Sequence, residues 1–186
     1  MSFLKYTSLF LLSILIAAAP PAVAENVPSP SDVQKAFWEP YQHLLDTYLS
    51  PITREGIKLT GLDYTGLKND PDFKKMEKRL KDFAPDTNPG DKEQIAFWIN
   101  AYNFLAVKLV TDNYPVESIK DIGSFFTSVW NKDAGIIGGK EYSLGEIEHE
   151  ILRAKFSEPR IHFAIVCASL SCPDLRPEGY LPADLD

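Results

Sequence analysis

The most apolar stretch of the chain is QIAFWINAYNFLAVKLV, residues 94–110, and it lacks a continuous polar face. A surface helix carries one polar face, so this pattern predicts a helix buried in the middle of a soluble domain. The stretch is too short for a membrane span, and it contains a lysine and asparagines. Asn88 as N-cap and Pro89 at the first helical position predict where the helix begins.

Asn100 and Asn103 are three residues apart on this helix and therefore share one face. A buried amide without hydrogen-bond partners costs about 1–3 kcal/mol, so other segments must supply partners. One interpretation is that both side chains hold neighbouring loops in place, as buried polar groups commonly do. The alternative is that one of them faces a ligand, which makes both candidate binding residues.

Helical spacing of apolar residues predicts two helices before the central one. The first runs from Asp32 to about Leu49, with Ser31 as its cap, and the second runs from about Pro71 to Phe83. Between them, a stretch punctuated by glycines predicts one short strand.

Further elements follow the central helix. Paired glycines predict a hairpin within residues 135–142, because tight turns need the positive φ that glycine adopts. Ser143 and Glu146 have the spacing of a capping box, which predicts a helix to about Lys155. Residues 161–168, IHFAIVCA, predict a strand buried on both faces. The expected fold class is α+β: a helix-rich single domain with a buried central helix and a small antiparallel sheet.

The N-terminus predicts export. Lys5, an apolar run over residues 9–19 and the Ala-Val-Ala triplet at 22–24 match a cleaved secretory signal. We therefore expect residues 1–24 to be a signal peptide, 25–37 a linker and the start of the first helix, and 38–186 one α+β domain truncated at its C-terminus. The expected location is the periplasm or the medium, with no transmembrane segment after cleavage.

Charge narrows the classes of partner. The 26 acidic and 19 basic residues give a formal net charge of −7, which argues against nucleic-acid binding. Hydrophobic residues make up 45% of the 186, enough for a sizeable core. No motif predicts a cofactor, so the expected partner is an unknown small molecule or envelope component.

Both cysteines lie in the motif CASLSC. Because exported proteins mature in an oxidising compartment, the first interpretation is a disulfide between Cys167 and Cys172. The alternative is thiol catalysis, with either cysteine as nucleophile and His162 or His149 as base. In a regular strand His162 and Cys167 would point to opposite faces, which argues against that pair.

The other polar candidates carry weaker signals. Glu148, the two histidines and Asp174 are residue types that ligate metals, but they have no zinc-motif spacing, so no metal site is predicted. Glu148 stays a weak catalytic candidate beside the cysteines and histidines. The candidate binding residues are Asn100, Asn103, Ser169 and Asp174.

Four motifs occur in a specific order: AFWINAYN at 96–103, YPVESIKDIG at 114–123, GGKEYSLGEIEHEILR at 138–153 and PRIHFAIVCASLSCPDLRPEGY at 159–180. From about Trp38 to Asp186 the chain thereby resembles an uncharacterised family of bacteria and plants, called domain of unknown function 547. The resemblance implies an exported α+β domain but no established activity, and hence no catalytic residues. The expected function is an exported ligand-binding or structural module; the alternative is an exported cysteine- or histidine-dependent hydrolase or transferase.

Overall fold

The computed structural model describes residues 28–84, 90–124, 127–168 and 172–185. The predicted signal peptide, Asn88, Pro89 and Ser169 lie outside these ranges. Within them the chain is mostly helical and contains two separate two-stranded antiparallel sheets. The α+β class is confirmed, with two small sheets where one was expected.

The first helix, α1 (Pro30–Tyr48), begins two residues earlier than the sequence predicts. The Ser29 hydroxyl accepts a hydrogen bond from the Asp32 amide, and the Asp32 carboxylate accepts one from the Ser29 amide. The predicted cap, Ser31, is wrong because this reciprocal capping box forms at Ser29, with Pro30 suited to the first helical turn.

A β-hairpin follows, made of β1 (Leu49–Arg54) and β2 (Ile57–Leu62). Its turn residues, Glu55 and Gly56, both have positive φ. The sequence predicts only one strand here, because Pro51 is typical of a helix end and not of a strand. In a two-stranded ribbon each strand has a free edge, so a residue without an N–H is tolerated in β1.

Two helices lead to the centre of the fold, α2 (Tyr64–Asn69) and α3 (Pro71–Lys81). Arg79 of α3 donates hydrogen bonds of 2.7 Å to the carbonyls of Ala36 and Phe37 in α1. Pro40, inside α1, has no N–H to donate to the Ala36 carbonyl, so Arg79 replaces the missing helical bond.

The central helix, α4 (Asp91–Asn113), is buried over most of its length, as predicted. Its N-cap is Gly90 and not Asn88. The helices α1 and α2 and the second hairpin all pack against it. No helix in the described ranges is long and apolar enough to cross a membrane.

The second hairpin, β3 (Asp133–Ile137) and β4 (Lys140–Ser143), lies where the glycines predicted it. Gly138 and Gly139 both have positive φ at its turn. Their amides donate to the carbonyls of Leu80 and Lys81 at 2.9 and 3.1 Å, so this turn completes the C-terminal end of α3.

The capping box after β4 is confirmed: the Ser143 hydroxyl accepts from the Glu146 amide at 3.1 Å, and the Glu146 carboxylate accepts from the Ser143 amide at 2.9 Å. The helix that follows is a π-helix, Glu146–Leu152, continued by one α-helical turn, Arg153–Lys155. Such wide helical turns are rare and are found often at functional sites.

The strand predicted over residues 161–168 is wrong. Pro159–Phe163 forms a 3₁₀-helix, with Glu158 capping its start, and residues 164–168 after it form no strand. Nor is the segment buried on both faces, because the Phe163 side chain is 73% exposed. In place of a neighbouring strand, the Asn103 side chain of α4 forms hydrogen bonds with the backbone of this segment.

Candidate functional site

Asn100 and Asn103 each bind one backbone segment of the C-terminal region. The Asn103 amide donates to the Ala164 carbonyl and accepts from the Val166 amide, both at 2.9 Å. The Asn100 amide exchanges the same pair of hydrogen bonds with Tyr180, both at 2.7 Å. Both side chains are buried, at 1% and 3% exposed. The interpretation that they hold neighbouring segments in place is therefore confirmed.

A cleft of about 720 Å³ opens between the β1–β2 hairpin and the residues on either side of the two cysteines. Ala106 and Val107 of α4 contribute to its lining. The Thr60 hydroxyl donates to the Leu175 carbonyl at 3.1 Å and joins the two walls. The hydrogen bonds from Asn103 position Val166, which lines the opposite wall.

The lining of this cleft has an apolar side and a charged rim. Ile52 pairs with Leu59, and Arg54 with Ile57, so these side chains share one face of the hairpin. Ile52 and Ile57 remain 41% and 52% exposed. Asp174, a predicted binding residue, also lines the cleft, and its carboxylate has no ion pair or hydrogen bond within the described part of the chain.

Cys167 and Cys172 form a disulfide with their Cα atoms 6.0 Å apart, as predicted. Cys172 lines the cleft, and Cys167 follows the Val166 amide that Asn103 binds. Cys167 is therefore adjacent in sequence to the residue that Asn103 of the central helix binds. In this way the bridge links the cleft wall at Cys172 to the central helix. With both sulfurs in the bridge, neither is available as a nucleophile.

A second cluster of candidate residues lies on the π-helix. Glu148 forms an ion pair of 2.9 Å with Arg153. Arg153 also contacts the Nδ1 atom of His162 at 3.1 Å. Burial, and then the Glu148 carboxylate, raises the pKa of Tyr102. The structure thus brings Glu148 and His162 together, while His149 is exposed on the π-helix and takes no part.

The contact with Arg153 fixes the chemistry that His162 offers. A guanidinium carries only hydrogen-bond donors, so Nδ1 of His162 must be the acceptor. The ring proton then resides on Nε2, and the open side of the ring is a donor. In this arrangement His162 is not set up as a general base, because a base needs a free lone pair there.

A third cluster, which no sequence pattern predicts, is formed by His43, Asp70 and Asp72. Their ligand atoms lie within 4.8 Å of one another, and these residue types can hold a metal. Each group is already engaged: Asp72 pairs with His43 at 2.9 Å, and Asp70 accepts from Tyr48 at 2.9 Å and from the Asp72 amide at 2.8 Å. We interpret the cluster as the N-terminal cap of α3. No sequence spacing marks it, because His43 comes from another helix.

Comparisons with known proteins give one match. A family model described as "Protein of unknown function, DUF547" matches residues 87–186. No curated protein and no solved structure matches the chain. The matched range contains α4, the disulfide and the Glu148 cluster. It excludes the β1–β2 hairpin, so the two walls of the cleft come from inside and outside the matched range.

Proposed function

We propose that this chain, which belongs to the DUF547 family of proteins of unknown function, is an exported domain that binds an amphipathic small molecule in its cleft. The observation that carries the proposal is the apolar face of the β1–β2 hairpin, which stays exposed beside an open cleft. Ligand sites of small molecules typically enclose 300–1,000 Å³, and this cleft falls within that range at about 720 Å³.

Energetics support a ligand with an apolar body. Fully burying an isoleucine side chain stabilises by about 1.5–3 kcal/mol. Ile52 and Ile57 are about half exposed, so covering both would contribute roughly 2 kcal/mol on the same scale. The Asp174 carboxylate and the nearby Arg54 and Lys58 at the rim favour a polar end group on the same ligand.

Binding is a better-supported role than catalysis. Both sulfurs are in the disulfide, and His162 presents an N–H and not a lone pair. Among the candidates for a cysteine- or histidine-dependent hydrolase or transferase, both cysteines and His162 are therefore engaged in other contacts. By contrast, Asn103 and the disulfide hold one wall of the cleft in place before any ligand arrives, which lowers the entropic cost of binding.

Titration with the uncharged dye N-phenylnaphthylamine tests this proposal. Wild-type protein should bind it saturably with a rise in fluorescence, and Ile57→Asn should weaken binding at least fivefold. Val33→Asn is a matched control, since Val33 is 54% exposed on α1 and does not line the cleft. Equal losses in the two variants, or binding that does not saturate, would overturn the proposal.

Export is tested separately. The Lys5, apolar and Ala-Val-Ala pattern motivates cleavage after Ala24. N-terminal sequencing of protein recovered from the periplasm or the medium of an expressing bacterium should begin at Glu25. Recovered material that begins at Met1 would contradict both cleavage and the assigned signal peptide.

A further inference from the structure

A second cavity, of about 700 Å³, lies where the helical turn Arg153–Lys155 leads into the 3₁₀-helix Pro159–Phe163. Arg153 and His162 line it together with Ser157, Glu158 and the apolar residues Phe156 and Ile161. It shares no lining residue with the cleft described above. Its chemistry is therefore independent of the proposed function.

We propose that this cavity binds a small monocarboxylate with an apolar body. Carboxylates are recognised by planar N–H donors, and apolar bodies by aromatic walls, and both are found here.

The donors of the cavity are held in fixed positions. Arg153 is anchored between the Glu148 carboxylate, at 2.9 Å, and Nδ1 of His162, at 3.1 Å. A guanidinium has five N–H donors, so Arg153 keeps N–H groups for a ligand beyond these two bonds.

His162 supplies a second donor on the same wall. Because Nδ1 accepts from Arg153, the proton on Nε2 is free to bind an oxygen atom. The Ser157 hydroxyl, which also lines the cavity, is a third group able to donate.

The one acidic side chain in the lining is already neutralised. Glu158 accepts hydrogen bonds of 2.9 and 2.8 Å from the Arg160 amide and Nε, and a further one from Nη2 of the same residue. Its negative charge is therefore balanced locally by Arg160. The polar groups left for a ligand are donors, which selects an acceptor over a cation.

The charge and the walls specify the class of anion further. The single positive charge of Arg153 is shared with Glu148, so the cavity suits one negative charge better than the two of a phosphate. Phe156 and Ile161 provide apolar walls. Phe163, 73% exposed, stands beside the ring of His162 with centroids 5.8 Å apart. A ligand ring covering Phe163 would bury apolar surface that is now in water.

Calorimetric titration of the mature protein with benzoate tests the proposal. Benzoate should bind saturably and at least tenfold more tightly than benzamide, its uncharged isostere, and more tightly than inorganic phosphate. Arg153→Gln should lower the benzoate affinity at least tenfold. Arg153→Lys should show most of the same loss, since an ammonium group lacks the planar arrangement of N–H donors of a guanidinium. Arg176→Gln, at an exposed arginine outside the cavity, should leave affinity unchanged.

A separate readout guards against a folding defect. The ¹H–¹⁵N signals of the His162 ring should shift as benzoate is added to wild-type protein, whatever the stability of the variants. Benzamide binding as tightly as benzoate, a loss in Arg176→Gln equal to that in Arg153→Gln, or a His162 ring that does not respond would each overturn the proposal.

Discussion

The carbonyl oxygen of Ala36 lies 2.7 Å from a guanidinium nitrogen of Arg79, in another helix. Pro40 explains the contact, because it cannot donate the backbone hydrogen bond that this carbonyl would receive in a regular helix. A defect in α1 is thus repaired by α3, and the repair holds the two helices together.

Arg79→Met should destabilise the protein by about 1 kcal/mol, because it keeps the aliphatic stem and removes the donors. In a Pro40→Ala background the same change should cost less, since the restored N–H bonds the Ala36 carbonyl. Urea unfolding of the four proteins in this cycle measures the coupling. Arg54→Met is the control for loss of an arginine, and an identical cost of Arg79→Met in both backgrounds would contradict the repair.

Asn100→Leu and Asn103→Leu should each destabilise the fold by roughly 2–4 kcal/mol. Each change leaves a backbone amide and a carbonyl without their partner in a buried setting. Asn113→Leu, on the same helix but bonded only to the Leu109 carbonyl one turn earlier, should stay within about 0.5 kcal/mol of wild type. Thermal unfolding measures the three changes in stability. Equal destabilisation by all three variants would contradict the stabilising role assigned to the Asn100 and Asn103 hydrogen bonds.

The disulfide should be complete in exported protein. Intact mass would then be about 2 Da below that of the reduced chain, and no thiol should alkylate without prior reduction. A Cys167→Ser, Cys172→Ser double variant should lose about 2 kcal/mol, a modest value because the closed loop is short. Two thiols that alkylate freely in protein quenched with acid would rule out the bridge and reopen thiol catalysis.

Glu158 predicts a dependence of stability on acidic pH. The hydrogen bonds from Arg160 lower the pKa of Glu158 from 4.5 to about 2. A folded-state pKa below the unfolded one contributes stability above about pH 4.5, which is lost as pH falls towards 2. The Glu158 carboxylate should titrate near 2 by NMR, and in Arg160→Gln it should move back up. Unchanged titration in Arg160→Gln would refute the assigned cause, and Arg176→Gln serves as the neutral comparison.

Burial of the central helix was predictable because its sequence is apolar on every side, which leaves no solvated orientation. The first sheet was not predictable, because Pro51 is typical of a helix end. The structure shows why this proline is tolerated in β1: the strand has a free edge. The strand over 161–168 failed for another reason. Its apolar residues pack against the core as those of a strand would. Its backbone, however, is bound by the Asn103 side chain, and the spacing of apolar residues along the chain does not predict that contact.

The candidate site was likewise predictable only in part. Cys167 and Cys172 are neighbours in sequence, so compartment and spacing were enough to predict their bridge. The contact between Arg153 and His162 spans nine residues and two kinds of helix. Arg153 directly follows the π-helix, and a capping box followed by apolar residues does not distinguish that helix from an ordinary one.

The hydrogen bonds from Gly138 and Gly139 to the end of α3 bear on how the chain is synthesised. A ribosome delivers α3 long before it delivers these glycines, so the last carbonyls of α3 wait for a segment made later. The boundary of the DUF547 match near residue 87 therefore does not separate two units that fold in succession. While the second hairpin is still inside the ribosomal tunnel, the C-terminal end of α3 would remain frayed. Its apolar residues Phe73, Met76 and Leu80 would then be accessible to chaperones.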